Sequence, residues 1–215
     1  KRRVQLGNTL FELGALDEAI AEFREAIRLE PKQPIAYCNL GVSLRNQGKL
    51  DQAADAFRVA IDLNPNLALA HFHLGAVLTE QAKLDEAVTA CSRAISLNPQ
   101  LDVAHNQLGI ALLGQKKLDE AISAWRQAVC LNPKNFEAFV NIGIALRKQG
   151  KFNEAVVAFR EATHLKPHDA ISQFQLAFAL KDHGSLSLDA AITAYREMIR
   201  LDPNYAEAHC RLAGA

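Results

Sequence analysis

The chain has 215 residues, 49% hydrophobic and 22% charged, enough apolar material for a large buried core and too much for a disordered segment. Lysine plus arginine and aspartate plus glutamate both total 24, so the formal net charge is zero. That balance excludes the basic excess with which nucleic-acid binders neutralise phosphates. No apolar run reaches the roughly 18 residues of a membrane span. The start, KRRVQLGNTLFELG, lacks the apolar region of a secretory signal. It also lacks a methionine, which reads as a piece of a longer parent. Cys38, Cys91, Cys130 and Cys210 are far apart and form no CxxC pair. They fit no zinc knuckle, redox motif or disulfide framework, and suggest a reducing, cytoplasmic setting.

In chain order the first helical stretch contains Leu6-Gly7, and a second follows as LDEAIAEFREAIRLEP (16–31). The second stretch then returns as LDQAADAFRVAIDLNP (50–65), LDEAVTACSRAISLNP (84–99), LDEAISAWRQAVCLNP (118–133), FNEAVVAFREATHLKP (152–167) and LDAAITAYREMIRLDP (188–203). Pro31, Pro65, Pro99, Pro133 and Pro167 are 34 residues apart, and Pro203 follows after 36. Between the copies another helix recurs, marked by Leu6, Leu40, Leu74, Leu108, Ile142, Leu176 and Leu212. After each comes a small residue: Gly7, Gly41, Gly75, Gly109, Gly143, Ala177, Ala213. In the second helix Ala19, Phe23 and Ala26 fall at i, i+4 and i+7, one stripe of a 3.6-residue helix. The ring position continues as Phe57, Cys91, Trp125, Phe159 and Tyr195. Small residues on one helix let the backbones approach while the ring fills the gap. Turns such as QGKLD and QAKLD offer an Asp able to cap the second helix. The helix ends before proline because the preceding residue avoids the α region.

This pattern, L-G followed by A-x-x-x-F-x-x-A and a proline, resembles the tetratricopeptide repeat family over essentially the whole chain. The resemblance implies an all-α fold: an α-solenoid, a right-handed superhelix of antiparallel helix pairs. Its expected units are 1–33, 34–67, 68–101, 102–135, 136–169 and 170–205, with 206–215 the truncated first helix of a seventh. The two extra residues in the turn around 184–191 are read as a lengthened loop. All units would form one continuous domain, because a single pair cannot bury its own stripe. One departure stands at the family's aromatic corner, which here carries Arg3, Tyr37, His71, His105, Phe139, Gln173 and His209.

Catalytic signatures are absent: no GxSxG, HExxH or phosphate loop occurs, so the chain is not expected to be an enzyme or to need a cofactor. His71 and His105 have no Cys, Asp or Glu at ligand spacing and are read as packing residues, not a metal site. The residue before each recurring leucine is more informative: Gln5, Asn39, His73, Gln107, Asn141, Gln175 and Arg211. Burial alone does not demand a hydrogen-bonding side chain there each time. In tetratricopeptide superhelices this face lines the inner groove, where amides can pair with the N–H and C=O of an extended peptide. The column looks similar to the asparagine ladder in the repeat domain of O-linked N-acetylglucosamine transferase. Phe72, Val140 and Phe174 precede it, and Val42, Ile110, Ile144 and Phe178 follow by one turn, so the expected groove is an apolar trough with an amide line. The amides could equally bond one another across repeats and fix the stacking.

Chaperone-adaptor members of the family hold a C-terminal carboxylate with two asparagines and three cations. Asn8 and Asn39 match the asparagines, but Val4, Leu69 and His73 replace the cations, so heat-shock-chaperone tails are not expected partners. Arg45, Arg147, Lys148 and Lys181 recur near first-helix ends, either steering an acidic partner or only keeping those ends solvated. The expected function is a protein-interaction module that binds a peptide or helical segment as scaffold or adaptor. Two alternatives stay open: a self-assembling structural scaffold, or the substrate-recruiting arm of a larger enzyme such as a glycosyltransferase.

Overall fold

The computed structural model describes residues 2–167 and 169–182, with Ile192, Tyr195, Arg196, Ile199 and Arg200; the side chains of Ala170, Phe174, Lys181 and Asp182 are outside that set. The expected second helix at 188–203, the lengthened turn at 184–191 and the truncated unit at 206–215 therefore lie mainly or wholly outside the described residues. So do His209 and Arg211. The described elements are all α-helices: α1 (Arg2–Glu12), α2 (Leu16–Leu29), α3 (Pro34–Asn46), α4 (Leu50–Leu63), α5 (Ala68–Glu80), α6 (Leu84–Leu97), α7 (Asp102–Gly114), α8 (Leu118–Leu131), α9 (Phe136–Lys148), α10 (Phe152–Leu165) and α11 (Ala170–Asp182).

The chain divides into two compact units, Lys1–Ala121 and Ile122–Ala215. In the first, α1 packs on α2, α3 on α4 and α5 on α6, and each second helix also packs on the next first helix. The first helices touch in turn, α1 with α3, α3 with α5 and α5 with α7. In the second unit α10 packs on both α9 and α11, and α9 touches α11. Each unit is thus a stack of consecutive helix pairs, as in tetratricopeptide solenoids.

The ring position is the centre of each pair. Phe23, Phe57, Cys91, Trp125, Phe159 and Tyr195 are all 1% exposed or less. Gly7, Gly41, Gly75 and Gly143 of the first helices each sit against one of these side chains. A Cβ on Gly41 would lie 2.7 Å from Cε1 of Phe57, on Gly143 2.6 Å from Cε1 of Phe159, and on Gly75 2.5 Å from Sγ of Cys91. Only a bare backbone lets the ring settle there. Second-helix alanines Ala19, Ala53, Ala87, Ala121 and Ala155 flank the contact and are fully buried.

The second helices end as the prolines require. Their C-caps Glu30 (φ −133°, ψ 81°), Asn64 (−144°, 91°), Asn98 (−141°, 90°) and Lys166 (−132°, 83°) are extended.

The turn aspartates do not cap, contrary to the sequence expectation. The N-caps of α2, α4, α6 and α10 are Ala15, Lys49, Lys83 and Lys151, none with a side-chain cap bond. The helix begins two residues earlier than the capping assignment needs, so Asp17, Asp51 and Asp85 are already in the first turn, where the helix dipole favours a carboxylate. Each accepts instead from the next repeat: Gln47 Nε2 reaches Asp17 Oδ1 at 2.7 Å, Gln81 reaches Asp51 at 2.8 Å, and Gln115 reaches Asp85 at 2.7 Å. Side-chain capping occurs at first helices, where Asn135 accepts from the Ala138 N–H at 3.1 Å and Asp169 from the Ser172 N–H at 2.8 Å.

Two predictions arise from this packing. Gly41→Ala is expected to destabilise the chain by about 1–3 kcal/mol, since its Cβ overpacks Phe57. Adding Phe57→Leu should recover part of that loss in urea unfolding followed by circular dichroism; no recovery would show that the ring is not the obstacle. The second concerns the turn, where Gly14, Gly48 and Gly150 have φ of 78°, 74° and 74° but Ala82 and Lys116 hold 59° and 64°. Left-handed backbone costs a residue with a Cβ about 1 kcal/mol, so Ala82→Gly and Lys116→Gly should each stabilise by roughly 0.5–1 kcal/mol in the same measurement.

Candidate functional site

The first helices carry the amide column, and the structure divides it into distinct environments. In the first unit Gln5 is exposed while Asn39, His73 and Gln107 are half-buried. Asn39 Nδ2 donates to Asn8 Oδ1 at 2.8 Å, joining α3 to α1. Gln107 Nε2 donates to Thr79 Oγ1 at 3.1 Å, joining α7 to α5, and Thr79 donates in turn to the Gly75 carbonyl at 2.8 Å. These two amides therefore bond across adjacent repeats. In the second unit Asn141 is half-buried, whereas Gln175 is 6% exposed and its Oε1 has no hydrogen-bond partner.

The Asn8–Asn39 pair opens onto a cavity of about 310 Å³ lined by Phe11, Glu12, Phe23 and Val42 as well. Asn39 spends one donor on Asn8, which leaves the Asn39 carbonyl and the Asn8 amide protons as one acceptor and one donor edge. A peptide group presents the complementary pair. Beneath them lie the Phe11 and Phe23 rings and the Val42 side chain, apolar surface of the kind that takes a side chain.

The apolar companions of the column are more enclosed than an open trough. Cys38 and Val4 are 6% and 8% exposed, Ala76 is 1% and Phe178 is 8%. Val42, Phe72, Ile110, Val140 and Ile144 are half-buried, and the Phe174 side chain lies outside the described residues. Burial also pushes the thiols of Cys38 and Cys91 up, to about 11 and about 12, so both are inert at neutral pH.

His73 interrupts the amides. Its ring stacks on Phe57 at 5.4 Å between centroids and 14° between planes, and meets Phe72 at 4.7 Å and 49°. Nδ1 is buried without a hydrogen-bond partner. Burial, with the Arg45 guanidinium adding to it, holds the imidazole well below its ordinary value, at about 4. The corner histidines behave differently. His71 Nε2 bonds the Pro65 carbonyl at 3.0 Å and His105 Nε2 the Pro99 carbonyl at 3.1 Å. A carbonyl only accepts, so both rings carry the Nε2–H tautomer and are committed to holding the preceding helix end. Gln173 makes the same bond to Pro167, so an amide serves at that corner as well. No His/Cys/Asp/Glu cluster suited to a metal occurs among the described residues.

First-helix cations also differ. Arg45 Nε donates to Glu80 Oε1 at 2.7 Å. Arg147 instead lies over the Phe178 ring, 4.2 Å from its centroid.

Sequence reasoning missed a second kind of cavity. One of about 570 Å³ opens between α4 and α6, floored by Ile61, Leu74, Leu78 and Ala90 and edged by Arg58 and Glu86. A smaller one of about 270 Å³ uses the positions 68 residues on, among them Ile142, Leu146, Ala158, Arg126 and Glu154. Two periods of 34 separate them, so folding the sequence at that period and reading the second-helix flanks would have exposed the pattern.

The His73 environment gives a prediction with a definite sign. Its folded-state value of about 4 lies below the ordinary 6.5, so on acidification the unfolded chain protonates first. Stability is complete above the unfolded value and falls as pH drops from about 6.5 toward 4, by about 3 kcal/mol at pH 4 from this group. His73→Gln should flatten the difference between urea unfolding at neutral and mildly acid pH; an unchanged slope refutes the assignment.

Comparison with known proteins agrees with this architecture. The family model described as the cilia and flagella-associated protein 70 C-terminal domain matches residues 2–197. No curated protein matches the chain. Among solved structures, PilF of Pseudomonas aeruginosa is similar with a TM-score of 0.88 and 21% identity, covering 100% of this chain and 96% of that one. A chain of the APC/C hetero-tetramer Cut9–Hcn1 gives 0.84 and 22%, covering 98% of this chain; the chain spans 42% of that longer one. YrrB, described as a tetratricopeptide protein with an unusual peptide-binding site, gives 0.68 and 22%, covering 86% and 95%. At these identities the likeness concerns the fold. Among the described residues no helix is long and apolar enough to cross a membrane.

Proposed function

We propose, from the premise that the chain belongs to the cilia and flagella-associated protein 70 C-terminal domain family of tetratricopeptide-repeat proteins, that its first-helix face binds an extended segment of a partner protein. A tetratricopeptide solenoid is in general a protein-interaction scaffold; the finer assignment is that this chain acts as a non-catalytic adaptor through backbone pairing. The observation that carries it is the Asn8–Asn39 pair at the mouth of the 310 Å³ cavity. One hydrogen bond between the two side-chain amides fixes their orientation without using up their outer edges. The segment's peptide group would accept from Asn8 and donate to Asn39, while its side chain enters the space over Phe11, Phe23 and Val42.

Each such bond contributes only about 0.5–1.5 kcal/mol net, so useful affinity needs several contacts engaged together. Asn141, one period after Gln107, is the half-buried amide of the second unit suited to the same pairing. Gln107 spends one of its two donors on Thr79 and so takes part in the stacking as well. That a fold of this kind can carry a peptide site is consistent with the description of YrrB.

The test uses peptides selected from a phage-displayed random library against the full 215-residue chain, with affinity followed by fluorescence polarisation. The double variant Asn8→Ala, Asn39→Ala should weaken binding by roughly tenfold or more, as two lost hydrogen bonds predict, with helical content retained. Equal affinity for wild type and double variant would remove the first-helix face as the binding surface.

A further inference from the structure

The second unit repeats the positions of the first-unit cavity with opposite charge. Four periods, 136 residues, separate Phe11 from Arg147, Glu12 from Lys148, Asn39 from Gln175 and Val42 from Phe178. Phe11, Glu12, Asn39 and Val42 all line the first-unit cavity. The acidic residue at its rim is thus replaced by a lysine, and the neighbouring ring by a guanidinium. From these residues we infer that the first-helix face of the second unit reads a carboxylate side chain, Asp or Glu, in the bound segment, with Arg147 as its ligand. This rests on the proposed use of the first-helix face for peptide binding and specifies which peptides that face takes.

Three observations support the assignment. The Arg147 guanidinium carbon lies over the Phe178 ring, 4.2 Å from its centroid, so the ring supports the cation before any ligand arrives. Its Nε is buried without a hydrogen-bond partner, and Arg147 makes no ion pair among the residues whose side chains are described. Arg45 stands at the same repeat position, 102 residues earlier, and there Glu80 supplies the carboxylate from within the chain. The position is therefore one where this fold already pairs a guanidinium with a carboxylate. Beside Arg147, the exposed Lys148 adds a second positive charge that attracts an acidic segment and repels a basic one. Phe178 is only 8% exposed, so the ring works as a platform under the guanidinium more than as a contact of its own.

The position that matches Glu80 in this unit is Asp182, whose side chain is outside the described residues, and the experiment includes it. The phage-displayed library is selected in parallel on wild type, Arg147→Gln and Asp182→Asn, each as the full chain. Peptides taken by wild type should be enriched in Asp or Glu at one position over the unselected library, and Arg147→Gln should lose that enrichment. In a synthetic copy of one selected peptide, Glu→Gln should weaken binding to wild type roughly tenfold, as loss of a charge-assisted pair does, and change binding to Arg147→Gln much less. The acidic preference must persist in Asp182→Asn. Wild-type selection without acidic enrichment, or enrichment that survives Arg147→Gln, overturns the inference while leaving the peptide-binding face intact. A preference that appears only in Asp182→Asn overturns it too, because Asp182 would then already occupy the guanidinium. Failure of wild type to select any peptide removes both the binding face and this refinement.

Discussion

A buried second-helix side chain, a ring at Phe23, Phe57 and Phe159 and a thiol at Cys91, rests on bare first-helix backbone, and that contact sets the spacing on which the rest of the chain depends. Where Gly41 meets Phe57 or Gly143 meets Phe159, a single added carbon would lie under 3 Å from the ring. The close approach goes with full burial of Ala19, Ala53, Ala87, Ala121 and Ala155 beside it. Stacking then adds burial repeat by repeat, as expected of solenoids, whose stability is a sum of unit and interface terms.

Polar groups set the register at those interfaces. The Gln47–Asp17, Gln81–Asp51 and Gln115–Asp85 bonds join the end of one first helix to the start of the preceding second helix. His71 and His105 tie their helices to the proline carbonyl just before them. Hydrogen bonds contribute modestly to net stability but require a particular alignment to form. Apolar stripes of alanine and leucine could slide by part of a turn with little loss; these bonds could not.

Function falls to what the stacking leaves over. The amide column is partly spent on the stack itself, at Asn39 and Gln107, and partly enclosed, at Gln175. What distinguishes one stretch of the face from another is the residue one or two turns beyond the amide. There Glu12, the Arg45–Glu80 pair and Arg147 with Lys148 give local charges of different sign on a chain whose total charge is zero. A repeat with a nearly fixed core can therefore present different chemistry along its length.

The period, the all-helical fold, the ring and glycine stripes and the proline stops were legible in the linear order, because each is a local rule repeated in register. The position of the amides was legible too, but not their partners. Asp17, Asp51 and Asp85 read as caps, since sequence places them beside a helix start; only the assembled stack offers a glutamine that competes for them. His73 gave no sign of its place between Phe57 and Phe72, nor Arg147 of the ring beneath it, because both contacts join residues brought together by packing between helices and between repeats. The cavity between α4 and α6 likewise exists only when two second helices flank a first. Sequence determined which surfaces each helix must bury; tertiary structure decided which polar groups satisfy one another across the stack and which stay available, since that depends on distances between repeats and not on order within one.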